Sequence, residues 1–95
     1  MIKYPITESG VNAIAVDKNL IWFGTRKDGL IVYDKATNKW NSFTTKDGLP
    51  SNNVTSVAVD GNIIWIGTYD NGAAKFNKAK NQLSTFDVFR PMYYD

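Results

Sequence analysis

The sequence predicts an all-β fold of two four-stranded antiparallel units. Three observations support this: the chain repeats itself at an offset of 43 residues, each copy holds short β-forming runs between turn residues, and those runs are apolar at both parities. Placing Val11 on Val54 aligns VNAIAVDKNLIWFGTRKDG with VTSVAVDGNIIWIGTYDNG without a gap, and the match continues through Phe43 and Phe86. Of the 42 pairs between residues 11–52 and 54–95, 14 are identical, among them Val16, Asp17, Asn19, Trp22, Gly24, Thr25, Gly29 and Phe43. The repeat divides the chain into a lead-in at 1–10, a first unit at 11–53 and a second unit at 54–95 that ends in an aromatic tail.

In the first unit, strands are expected at Val11 to Val16, Leu20 to Thr25, Leu30 to Asp34 and Lys39 to Thr44. The second unit repeats them at Val54 to Val59, Ile63 to Thr68, Ala73 to Asn77 and Gln82 to Val88. Asp17-Lys18-Asn19 and Asp60-Gly61-Asn62 suit tight first turns, while Asp28-Gly29 and Asn71-Gly72 supply the positive-φ residues of a hairpin connection. No segment has a helical pattern.

Ile14-Ala15-Val16, Leu20-Ile21-Trp22-Phe23 and Ile63-Ile64-Trp65-Ile66 are apolar on both sides of their strands, so each sheet needs cover on two faces. A sandwich would put the polar side chains of each strand on one face. Four-stranded units with two dry faces, repeated at about 40 to 50 residues, are the blades of a β-propeller, which is the architecture expected here.

Composition excludes several classes of function. The chain has no cysteine and no histidine, which removes disulfides, thiolate and imidazole metal sites, and histidine acid/base chemistry. Eleven Lys and Arg against nine Asp and Glu give a formal charge of +2, with the positives scattered along the chain instead of clustering on one stretch, so nucleic acid is not an expected partner. No stretch approaches the roughly 20 apolar residues of a membrane helix, and MIKYPITESG lacks the charged-then-apolar pattern of a leader, so no membrane insertion of this segment is expected. Cysteine usage leaves the compartment open.

DGLPSNNVTSVAVDGNIIWIGTYDNG, from Asp47 to Gly72, resembles the repeat of the two-component regulator propellers: a Gly-Leu-Pro-Ser-Asn turn, an inner strand and then Trp-x-Gly-Thr. The first copy repeats its core, so the resemblance runs from Val11 to about Phe86. It implies a blade pair from the extracytoplasmic sensor part of bacterial signalling receptors, periplasmic or extracellular, where such propellers bind ligands such as glycan fragments or mediate dimerisation. With no histidine to phosphorylate, this chain cannot perform the kinase step. The Gly-Leu-Pro-Ser-Asn turn occurs once, the sequence around its second counterpart reads Arg90-Pro91-Met92-Tyr93-Tyr94, and Tyr4-Pro5-Ile6 stands where a preceding outer strand would end. A piece of a larger protein and a short self-assembling unit, natural or designed, both fit.

Trp22 and Trp65 are expected in the core between blades, Gly24 and Gly67 at close blade approaches, and Thr25 and Thr68 in hydrogen bonds across strands. Asp17 and Asp60 recur, but one carboxylate per turn is expected to bond its own backbone. Calcium would need about six to eight oxygen ligands, and no loop here supplies them. No spacing fixes two acids about 5 to 10 Å apart for glycoside hydrolysis, and Ser51 has no histidine as its base. No cofactor and no catalytic residue is therefore expected, and a propeller lyase or hydrolase ranks below the binding and structural readings.

Antiparallel order brings the second-to-third strand connections to the same end as the link between units. Arg26, Lys27 and Asp28, with Tyr69, Asp70 and Asn71 and the segment Ser51-Asn52-Asn53, are thus expected on one rim. A guanidinium, amides and an aromatic suit a carbohydrate or other polar ligand, and ordinary solvated turns are the alternative reading. Two blades cannot close a ring of about four to eight, and a bare apolar sheet face invites cover. A homo-oligomer is expected, trimeric or tetrameric, with other propeller blades as alternative partners; the strand Ile2 to Ile6 and the tail Phe89 to Tyr94 are the expected joining segments.

Overall fold

The computed structural model describes residues 10–86, which form eight strands in two sheets. The first sheet holds β1 (Val11–Asp17), β2 (Leu20–Thr25), β3 (Leu30–Asp34) and β4 (Lys39–Phe43) in that spatial order. The second holds β5 (Val54–Asp60), β6 (Ile63–Thr68), β7 (Ala73–Asn77) and β8 (Gln82–Phe86). Every neighbouring pair is antiparallel. The expected extension of β8 to Val88, the strand Ile2 to Ile6 and the tail Phe89 to Tyr94 lie outside the described residues.

The repetition extends to backbone geometry. Lys18 (φ 56°) and Gly61 (φ 58°) occupy the same left-handed place in the first turns, as do Asn38 (60°) and Asn81 (51°) in the third. Lysine tolerates at position 18 what glycine adopts freely at 61, at a small steric cost. β1 shifts register between Val11 and Ala13, and β5 does so at the matching place between Val54 and Ser56.

One element departs from the sequence expectation. Thr45–Asp47 forms a single 3-10 turn, closed by a capping box in which the Thr44 side chain accepts from the Lys46 amide (3.2 Å) and Asp47 Oδ2 accepts from the Thr44 amide (2.8 Å). Gly48 ends the turn at φ 113°. The Thr-x-x-Asp spacing was the available signal, but three residues are too few to show a helical period.

The sheets pack face to face. From the first come Trp22, Leu30 and Val32, and from the second Val54, Ile64, Ile66, Ala74 and Phe76, with Leu49 of the linking loop completing the core. The Trp22 and Phe76 rings lie 5.8 Å apart, and Phe43 and Phe76 4.9 Å apart. Each fully buried aliphatic side chain is worth about 1.5–3 kcal/mol, so this layer outweighs any single polar contact between the sheets. Gly24 makes the approach possible: a Cβ there would lie 2.7 Å from Val54 Cγ1 and 3.2 Å from the Val54 carbonyl oxygen.

The contact uses opposite parities of the two repeats. Trp22 faces the second sheet and is 2% exposed. Trp65, its counterpart, sits half-buried on the other side of its sheet, edge-on to Phe86 at 5.7 Å with the Lys75 ammonium 5.8 Å from its ring centre. Of the two tryptophans expected between blades, Trp22 is so placed, while Trp65 has no blade against it among the described residues. Gly67 is on the same uncovered side.

Candidate functional site

The rim is built by three segments. The β2–β3 turn (26–29) docks on the link between the sheets through the Gly29 amide, which donates to the Asn52 carbonyl at 2.9 Å. From the other side the Tyr69 amide donates to the Asn53 carbonyl (3.0 Å) and Asn71 Nδ2 to the Pro50 carbonyl (2.9 Å). The link Ser51-Asn52-Asn53 therefore runs between the two turns, stiffened by the Asn53 amide donating to Ser51 Oγ at 3.1 Å.

Thr25 and Thr68 shape these turns. Thr25 is fully buried; its hydroxyl donates to the Gly29 carbonyl (2.7 Å) and accepts from the Asp28 amide (2.9 Å). Thr68 makes the same pair of bonds with Gly72 and Asn71. In place of the expected cross-strand bonds the hydroxyls bond the turn, where each gives the Asp28 or Asn71 amide an acceptor.

A cleft of about 330 Å³ opens beside the first turn, lined by Lys27, Asp28, Ile31, Ser42, Thr44, Thr45, Lys46 and Asn52. Of the residues expected on the rim, Lys27, Asp28 and Asn52 reach it. Arg26, Ser51, Asn53, Tyr69, Asp70 and Asn71 do not line it, and Tyr69 stands 76% exposed. The far wall, Ser42 with Thr44, Thr45 and Lys46, was not expected. It comes from the end of β4 and the 3-10 turn, which is held over the cleft by the Thr45 amide donating to Asn52 Oδ1 (2.9 Å). The cleft thus offers two ammonium groups, one carboxylate, three hydroxyls and an amide over the apolar floor of Ile31.

At the opposite end a cleft of about 450 Å³ lies among Leu20, Val32, Asp34, Thr37, Lys39, Trp40 and Asn41, where Asp34 Oδ1 already accepts from the Ala36 amide (2.9 Å). The repeated aspartates there depart from expectation. Asp17 forms an ion pair with Lys78 of the other sheet, and Asp60 accepts a long bond from Trp65 Nε1 (3.5 Å), so neither caps its own turn as the sequence had suggested. Among the described residues no group of three or more His, Cys, Asp or Glu is placed to hold a metal ion, and no helix is long and apolar enough to cross a membrane.

No curated protein matches the sequence. Residues 48–70, covering the Gly-Leu-Pro-Ser-Asn turn, β5 and β6, match the family described as two component regulator propeller. Among solved structures, the chain is similar to the extracellular domain of the hybrid two component system BT3049 from B. thetaiotaomicron, with 22% identity over 81% of this chain and 12% of that one, at a TM-score of 0.73. At that identity the likeness is one of fold. It is also similar to the extracellular domain of the one component system BT4673 from the same organism, with 28% identity over 87% of this chain and 12% of that one, at a TM-score of 0.72. The chain therefore spans 12% of the length of each of these two structures. It is a pair of four-stranded blades with the fold of these propeller domains, and its residues 48–70 match the two component regulator propeller repeat.

Proposed function

We propose that this chain is a non-catalytic segment of an extracellular sensor propeller and that its rim cleft takes a hydroxylated, acid-bearing ligand such as a uronic-acid sugar. Support comes from one observation above the others: Lys46 lines a cleft whose polar lining is otherwise rich in hydroxyl and amide groups. The Lys46 ammonium on the capped turn suits a carboxylate, and Ser42, Thr44, Thr45 and Asn52 suit the hydroxyls of a sugar ring. Placement in a sensor rests on the similarity to extracellular domains of signalling systems.

Calorimetric titration with uronic-acid oligosaccharides, with neutral glucose oligomers as the comparison, tests this reading. Saturable binding of the acidic series that weakens about tenfold in Lys46→Ala is the expected result. Silence across both series overturns it and leaves the purely structural reading, in which the blades serve only to pack against other blades. The sheet faces left open in the fold favour that second reading.

A further inference from the structure

The two sheet faces left open among the described residues are not arbitrary surfaces. Each occupies the repeat positions of a face that is already buried between the sheets. Ile14, Val16, Ile21 and Phe23 on the first sheet stand at the positions of Val57, Val59, Ile64 and Ile66, which pack into the core. Ile14 and Val16 are 60% and 62% exposed. On the second sheet Trp65 and Phe86 stand at the positions of Trp22 and Phe43.

The charges repeat as well. Between the sheets Asp17, on the first turn of the first sheet, pairs with Lys78, on the third turn of the second. Their counterparts are Asp60 and Lys35, with residue type conserved between the copies of the repeat. Both are exposed, and neither has an ionic partner among the described residues. Asp60 borders the open face of the second sheet and Lys35 that of the first, so one chain carries the two halves of a second, identical pairing at opposite ends.

We propose that a second copy of this chain docks its first sheet on the open face of the second sheet, repeating the internal interface, with Asp60 of one copy paired to Lys35 of the other. Trp65 then meets the next copy's Tyr33, as Trp22 meets Phe76. Gly67 leaves room for the next copy's Val11, as Gly24 does for Val54. Because the contact is head to tail it propagates, and closure at about six to eight blades takes three or four copies. The rim cleft borders the open face of the first sheet through Ile31 and Ser42, so the copy docked there forms a further wall beside it.

Light scattering on the 95-residue chain reads the outcome. The expected species is a closed assembly of three or four copies. Asp60→Lys and Lys35→Asp should each weaken it by about tenfold or more through like-charge contact, while the double variant, which restores opposite charges, recovers it. Circular dichroism should be unchanged throughout, because the Asp17–Lys78 pair inside each chain is untouched. A folded monomer at all concentrations overturns the proposal, as does an assembly indifferent to both charge reversals. Ligand titration of the cleft is a separate readout, so either proposal can fail without the other.

Discussion

Lys78 on the β7–β8 turn donates its ammonium to the carboxylate of Asp17 on the β1–β2 turn, tying the two sheets together across 61 positions of sequence. The side chains are 21% and 11% exposed, so the pair is partly shielded from water and salt. Removing one partner strands the other, and Lys78→Met or Asp17→Asn is expected to cost roughly 1–3 kcal/mol, between the values typical of exposed and buried pairs. Urea unfolding of the single variants and the double variant measures it; additive effects would show that the two groups are not coupled.

Gly24→Ala and Gly67→Ala are expected to differ although the two glycines share a motif. At Gly24 the new methyl meets Val54, including its backbone oxygen, and the sheets must separate at a cost of about 1–3 kcal/mol. At Gly67 the obstruction is the Ser56 hydroxyl, the end of a side chain that rotates away, so the cost to the single chain stays under about 1 kcal/mol. Equal losses in chemical denaturation would contradict the assignment of the two faces.

Trp22→Ala should be severe, about 3–5 kcal/mol, because it empties the contact with Phe76 at the centre of the core. Trp65→Ala removes a half-buried ring and should cost less than half as much in the dissociated chain. Thermal unfolding of both at low protein concentration makes the comparison.

These contrasts mark the limit of what the sequence discloses. Strand positions were readable because Gly29, Gly72 and the Asp-x-Asn turns punctuate runs of β-formers at regular intervals. Which parity of each strand meets the other sheet was not, because Trp22 and Trp65 sit in the same local motif and differ only in whether a sheet packs on them among the described residues. The fate of Asp17 was likewise hidden: its partner Lys78 lies in the other repeat, and spacing along one strand cannot show a bond between sheets. On the rim, Lys27, Asp28 and Asn52 were legible from antiparallel order alone. Thr44, Thr45 and Lys46 were missed because the short capped turn that carries them has no period to detect.

Thr25→Val should cost about 1–3 kcal/mol, since it leaves the part-buried Asp28 amide without its partner, and the Gly29 carbonyl with the Thr25 amide alone, without changing side-chain volume much. The same change at Thr68, which is only partly buried, should cost less. Amide hydrogen exchange at Asp28 and Asn71 reports each turn directly; unchanged protection at Asp28 in Thr25→Val would count against the hydroxyl's role.

Asp47→Ala breaks the capping box and should cost about 0.5–2 kcal/mol. It should also loosen the Lys46 wall of the cleft, which faster exchange of the Thr44 and Thr45 amides would reveal. Slow exchange at both would mean that the Asn52 bond alone holds the wall.

The packing of one greasy sheet on the other is tested most directly by proton NMR of the native chain, through cross-relaxation between the Trp22 indole and the Phe76 ring and between Gly24 and the Val54 methyls. Strong cross-peaks for both contacts are the expected result. Their absence, with a Trp22 indole proton that exchanges freely with water, would contradict it.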